Sequence, residues 1–307
     1  MRSRATGCFP SARKRRHVAG RIVVGVDGSA HGRHALRFAL SEAALRGAGV
    51  DVVSSWAVPP LAATGVGLMS AFDLMRAELG DSARQVVAGE LADAAEPAFG
   101  LEIEQRVAEG DAAGVLVDAA AGADLLVVGS RGRGGVTGTV LGSVSRACLQ
   151  HAPCPVAVVH DAGPTERSRI VLGVDGSPGA RAALEWAYAE AELRDVGVFA
   201  VCAYDEPWGI AAAGMSSAAA VAEVRTALAV EAEDVLEAAY AAAPDGVGVT
   251  GEAVRRAAGP ALVSAADGSA LLVVGSRGRG GFTSLLLGSV SQHCAAHARG
   301  VVVVVRR

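Results

Sequence analysis

The chain has 307 residues, enough to bury two cores of ordinary size, and an internal repeat divides it that way. A formal net charge of −4 argues against a nucleic-acid-binding body. No run of about 18 uncharged apolar residues occurs, so no membrane-spanning helix is expected. The five cysteines (Cys8, Cys148, Cys154, Cys202, Cys294) lack CxxC or other metal spacing, which points to reduced thiols in a cytoplasmic protein.

Residues 1–19 hold Arg2, Arg4, Arg13, Lys14, Arg15 and Arg16 with few apolar residues, the composition of a disordered basic tail. It has no apolar segment of the kind that makes a signal peptide. Contact with nucleic acid or acidic lipid, and a start codon assigned too far upstream, are both open readings of it. Two domains are expected after the tail, over 20–160 and 169–307, joined by a short polar linker at Asp161–Ser168.

Each domain opens on the same pattern: Arg21-Ile22-Val23-Val24-Gly25-Val26-Asp27-Gly28-Ser29 in one, Arg169-Ile170-Val171-Leu172-Gly173-Val174-Asp175-Gly176-Ser177 in the other. This reads as a buried strand and a turn, with Ser29 or Ser177 placed to cap a helix. Second strands follow at Val50–Ala57 and Val196–Tyr204, then small-residue loops near 61–70 and 209–220 and alanine-rich helices near 71–96 and 218–243. Third strands lie near Leu101–Val107 and Val247–Val254, with short helices after Gly110 and Gly259. Strands alternating with helices in this way give an α/β fold built on a parallel sheet with right-handed crossovers.

The fourth strands, Asp124–Val128 and Ala270–Val274, lead into the most distinctive stretches of the chain. Gly129-Ser130-Arg131-Gly132-Arg133-Gly134-Gly135 continues to Leu141-Gly142-Ser143-Val144-Ser145, and Gly275-Ser276-Arg277-Gly278-Arg279-Gly280-Gly281 to Leu287-Gly288-Ser289-Val290-Ser291. Both read G-x2-G-x9-G-S. Glycines let backbone amides approach a ligand with no Cβ in the way, and Gly-Ser then opens a helix whose unpaired N–H groups and positive dipole end suit phosphate. Two copies in register, each with its arginines and serine, argue against a turn that merely needs glycine. Helices from Ser143 and Ser289 run to His151 and His297, and final strands follow at Val156–His160 and Val301–Val305.

In open parallel sheets ligands bind beyond the carboxyl ends of the strands where strand order reverses. That rule makes the first and fourth strands neighbours, with Asp27 facing the loop from Gly129 and Asp175 the loop from Gly275. Like charges repel, so an aspartate here is suited to a ribose hydroxyl or an adenine amino group and not to phosphate. The alternative is a turn residue that starts the helix.

The Val-Gly-Val-Asp-Gly-Ser opening, the G-x2-G-x9-G-S loop and the His-Ala-Pro-Cys-Pro-Val segment at 151–156 resemble the universal stress protein family, and tandem domains of that family would cover all but the tail. The resemblance implies the Rossmann-like adenine-nucleotide α-hydrolase type of fold, with a five-stranded parallel sheet of order 3-2-1-4-5 in each of two tandem open-sheet domains. It implies ATP as ligand. Asp27 or Asp175 would hold the nucleoside, and the phosphates would lie on Gly129, Gly132, Arg133, Gly142, Ser143 and Val144, or on Gly275, Gly278, Arg279, Gly288, Ser289 and Val290. Mg or Mn would ride on the triphosphate. Domains of the family pair through their last strands, so pairing within the chain is expected, with a homodimer as a further expectation.

The copies differ. Asp124 is replaced by Ala270, Pro153-Cys154-Pro155 by Arg299-Gly300-Val301, and the second domain is two residues shorter between its opening strand and its loop. Two sites of unequal affinity follow. An ATP-binding stress regulator with an unidentified protein partner is the leading reading, since no Walker lysine and no obvious base for water accompany the loops. The alternatives are a slow ATPase or nucleotidyl-transfer enzyme, for which His31 and His34 are the candidate histidines, and a nucleotide-independent scaffold.

Overall fold

In the computed structural model, which describes residues 20–58, 69–94, 100–132, 141–160, 169–205, 218–280 and 286–306, strands and helices alternate along the chain. The first half runs β1 (Arg21–Gly25), α1 (Ala30–Arg46), β2 (Gly49–Trp56), α2 (Met69–Ala94), β3 (Ile103–Glu109), α3 (Ala112–Ala119), β4 (Leu125–Gly129), α4 (Ser143–His151) and β5 (Val156–Val159). The second runs β6 (Ile170–Gly173), α5 (Pro178–Arg194), β7 (Val198–Tyr204), α6 (Ala218–Ala241), β8 (Val249–Arg255), α7 (Ala258–Ala265), β9 (Leu271–Gly275), α8 (Ser289–His297) and β10 (Val301–Val305). The basic tail, the linker 161–168, and the small-residue stretches at 61–68 and 209–217 lie outside the described residues. Residues 69–70 and 218–220 of those stretches already belong to α2 and α6.

One ten-stranded sheet carries both halves, in the order β3-β2-β1-β4-β5-β10-β9-β6-β7-β8. Each half is parallel and has the expected 3-2-1-4-5 order. β5 and β10 are antiparallel, with Val301 opposite Val159 and Val304 opposite Val156. Side chains alternate across a strand, so these apolar runs feed two layers at once. Ile22, Val24, Leu125, Val127, Ile170 and Leu172 face the layer holding α1, α2, α5 and α6. Val23, Leu126, Val128, Val158, Leu272 and Val302 face the layer holding α3, α4, α7 and α8. Both layers run through the seam, so the halves share one continuous core.

Local chemistry sets the element ends. Ser29 Oγ accepts from Gly32 N at 3.0 Å and Ser177 Oγ from Ala180 N at 3.1 Å, while Pro178 occupies the first position of α5, where its missing N–H costs nothing. α1 ends on Gly47 in the left-handed region (φ 70°). α7 begins at Ala258, two residues earlier than a helix placed after Gly259, so Gly259 is its second residue. The start of α3 is pinned by Asp111, whose carboxylate accepts from Gly114 N; Ala257 can offer α7 no such bond.

The seam is closed on both faces of the sheet. α1 meets α5, where Glu42, Arg46, Glu190 and Arg194 pair and the Arg46 guanidinium lies 5.7 Å from the Trp186 ring centre. On the other face a His160 ring nitrogen is 3.0 Å from Ala295 O, and Arg306 donates to Ala152 O at 2.9 Å. The domains therefore pair within the chain. Asp124 and Ala270 also differ in effect: the Asp124 carboxylate accepts from Arg21 N and ties the start of β4 to the start of β1, which Ala270 cannot do in the second half.

Candidate functional site

β1 and β4 lie side by side, Ile22 opposite Leu125 and Val24 opposite Val127, so their carboxyl ends release two loops at one edge of the sheet. After β1 the chain turns at Gly28 (φ 83°), a conformation that favours glycine, and Asp27 Oδ1 accepts from Ser29 N at 3.0 Å. The aspartate thus does shape the start of α1, the alternative its position allowed, but Oδ1 alone does this work. Oδ2 faces the glycine loop. A Cβ on Gly132 would lie 2.6 Å from Asp27 Oδ2.

The arms of that loop are held in place. Ser130 N donates to Val159 O and Gly142 N to Ser130 O, each at 2.8 Å, and Ser145 Oγ donates to Gly129 O at 2.6 Å. Gly129 packs directly on the first turn of α1, where a Cβ would lie 2.8 Å from His31 O. The amino terminus of α4 is left open: its N-cap is Gly142, and no side chain bonds its first amides. α1, by contrast, spends Ser29 on that task. Free helix-terminal N–H groups at the mouth of a glycine loop form a ready anion site.

A cleft of about 640 Å³ opens between this loop and α2. Asp27, Gly129, Gly132, Gly142, Ser143 and Val144 all line it, so the structure brings together every described residue expected at the first site; Arg133 lies outside the described residues. The opposite wall was not anticipated from sequence. It consists of Ser54, Ser55 and Trp56 at the end of β2 with Leu79, Ser82 and Ala83 of α2, and the Trp56 indole comes within 3.5 Å of where a Cβ on Gly80 would stand. The signal available was topological: β2 is the other neighbour of β1, so its end reaches the same edge. Arg131 is exposed at the rim.

The second half repeats the framework with one marked difference. Asp175 Oδ1 accepts from Ser177 N at 2.9 Å, Gly288 N donates to Ser276 O at 2.8 Å, Ser291 Oγ donates to Gly275 O at 2.7 Å, and α8 also begins on a glycine with no side-chain cap. Asp175 Oδ2 accepts from Arg279 N at 3.0 Å, and a Cβ on Gly278 would lie 2.4 Å from that oxygen. The Arg279 side chain pairs with Glu231 of α6, and its guanidinium borders Gly176. Ser289 and Val290 form the first turn of α8. Loop and helix are closer here than in the first half: a Cβ on Gly179 would lie 2.2 Å from Arg277 O, whereas the corresponding first-half residue is His31.

Neither His31 nor His34 is among the residues lining the first cleft; their rings sit 6.4 Å apart in an edge-on arrangement, and His34 Nδ1 is buried without a hydrogen-bond partner. Among the described residues no group of three or more His, Cys, Asp or Glu is placed to hold a metal, and no helix is long and apolar enough to cross a membrane. Glu90, on the α2 face turned to Gly28 and Asp27, is 5% exposed, and neither carboxylate oxygen has a partner at full hydrogen-bond geometry, the Gly28 amide approaching only weakly. Burial first, and the Asp27 charge next, push its carboxyl above the usual range, while the Arg33 charge and the nearby Gly28 amide offset this only in part.

The sequence profile described as the universal stress protein family matches residues 19–160 and again 166–306. A universal stress protein of Mycolicibacterium smegmatis is 35% identical over 295 residues, covering 93% of this chain and 96% of that protein. The universal stress protein Rv2623 of Mycobacterium tuberculosis is 32% identical over the same shares. Among solved structures, a universal stress protein from Archaeoglobus fulgidus superposes with a TM-score of 0.64 at 20% identity, covering 94% of this chain and 96% of that one, a likeness of fold.

Proposed function

The chain belongs to the universal stress protein family, and we propose that it acts as an ATP-binding member whose regulatory output follows nucleotide occupancy. One observation carries this reading: Asp27 Oδ2, Gly132 and the uncapped amino terminus of α4 converge on a single cleft of about 640 Å³, within the size range of small-molecule sites. The open amides of Ser143 and Val144 take the phosphates, with Gly142 leaving room for them beside the helix start. Asp27 accepts from the nucleoside, whose base lies toward the apolar wall of Trp56 and Leu79. Mg or Mn enters on the triphosphate. The second half offers a like loop through Gly275, Gly278, Gly288, Ser289 and Val290, with Arg279 engaged by Glu231 and so less available to a ligand.

The test is to denature the purified protein, identify the nucleotide released by chromatography and count it per chain. ATP near two per chain supports two working sites, and ATP near one supports unequal halves. Gly132→Val should remove the first-site share, because a side chain there displaces Asp27 and closes the approach to the loop. If nothing is released and millimolar ATP leaves the melting temperature unchanged, the reading fails. A ligand at a thousandfold excess over its dissociation constant should contribute about 4 kcal/mol.

A further inference from the structure

α8 carries two histidines four residues apart, His293 and His297, whose rings stack with centres 4.3 Å apart and planes inclined by 21°. Residues at this spacing share one helical face. His297 Nδ1 lies 3.0 Å from the His293 carbonyl oxygen, and because a carbonyl only accepts, Nδ1 carries the proton and the neutral ring keeps its lone pair on Nε2. A backbone carbonyl bonded to one imidazole nitrogen is the arrangement that fixes the tautomer of metal-binding histidines. His297 is also the last residue of α8, and the negative end of a helix dipole favours a cation.

The pair is particular to the second half, and the fold makes room for it. His293 is the fifth residue of α8 and packs on Gly259, the second residue of α7; a Cβ on Gly259 would lie 2.6 Å from His293 Cδ2. The corresponding residues of α4 and α3 are Ala147 and Ala113. Alanine opposite alanine has thus become histidine opposite glycine. The geometry points to a two-histidine site on the face of α8 for a borderline transition-metal dication of the Zn2+, Ni2+ and Cu2+ class, with water completing its shell. Two ligand nitrogens at about 2.0–2.1 Å from a tetrahedral or octahedral ion stand roughly 3 Å apart, and stacked rings aim their in-plane lone pairs side by side, so both imidazoles turn about their χ angles to meet at one ion while the backbone keeps its i, i+4 spacing. The site lies at the opposite end of α8 from Ser289, about 12 Å along the helix, and is separate from the glycine loop.

Ni2+ is the probe, titrated by calorimetry into chelator-treated, nucleotide-free protein. One ion per chain is expected. Loss of a direct ligand should weaken binding at least about tenfold, the lower end of what removal of an outer-shell partner costs. That loss is expected for His297→Ala and for His293→Phe, which keeps a ring against Gly259 but has no nitrogen, while His151→Ala on α4 leaves binding unchanged. Melting without metal checks that each variant is folded. Wild-type affinity in either α8 variant, or no binding by the wild type at millimolar Ni2+, overturns the site.

Discussion

Arg46, the last residue of α1, pairs with Glu190 of α5 across the seam between the halves, and the reciprocal contact joins Arg194 to Glu42. Each arginine also holds the glutamate one turn earlier in its own helix, so four charges close a ring in which every member has two partners. Glu42 is 2% exposed and Glu190 1%. Burial pushes the Glu190 carboxyl up against the opposing pull of Arg46, and burial brings Arg194 down to about 10.

A closed ring of this kind makes single truncations costly. Glu190→Ala strands Arg46 and Arg194 with one partner each and should destabilise the chain by about 3–5 kcal/mol in urea unfolding. Replacing all four residues by apolar side chains of similar volume should leave stability unchanged or raise it by about 1–4 kcal/mol. A small loss on Glu190→Ala would show that water reaches the ring.

Glu90 gives a pH signature. Its carboxyl is raised in the folded chain, so the folded state binds that proton more tightly than the unfolded chain, whose glutamate titrates near about 4.3. The resulting stability is fully present below that pH and is lost as pH rises through the folded value. Urea midpoints of the wild type minus those of Glu90→Gln should therefore fall across this window, with the variant the more stable above it. Parallel profiles would assign the burial cost elsewhere.

Gly179 is held against the backbone of the second loop, not against a side chain that can turn away. Gly179→Ala forces Arg277 and the first turn of α5 apart and should cost about 1–3 kcal/mol, the usual penalty for overpacking. Gly89, on an open face of α2, is the control, since a Cβ there meets nothing within 4 Å. Gly89→Ala should be stabilising, as alanine is the better helix former.

The four thiols among the described residues should be silent. Burial pushes Cys148 and Cys294 up to about 12 and Cys154 and Cys202 up to about 11, and all four are buried. Thiolate is the reactive form, so a disulfide reagent at pH 8 should label none of them in the native chain and all four on unfolding. Fast native labelling at any of the four would place a redox-active thiol in the fold.

The strand order and the loop-to-aspartate contact were legible because the repeat marks them twice and the switch-point rule converts strand order into adjacency. The far wall of the cleft was not. Ser54, Ser55 and Trp56 belong to no motif and reach the site only because β2 flanks β1. The seam ring was hidden for another reason: Glu42-x3-Arg46 and Glu190-x3-Arg194 are the helical spacing of ordinary solvated pairs, and only the crossing of α1 with α5 buries them. Arg279 read as a phosphate-binding residue beside its glycines, yet its pairing with Glu231 depends on where α6 lies, which no local pattern encodes.

The antiparallel joint between β5 and β10 turns one half end over end relative to the other. The carboxyl ends of β1 and β4 thus emerge at one edge of the sheet, and those of β6 and β9 at the opposite edge, a strand length of about 17 Å or more away. The chain has two poles. Whatever approaches the first loop comes from the end of the sheet opposite the second.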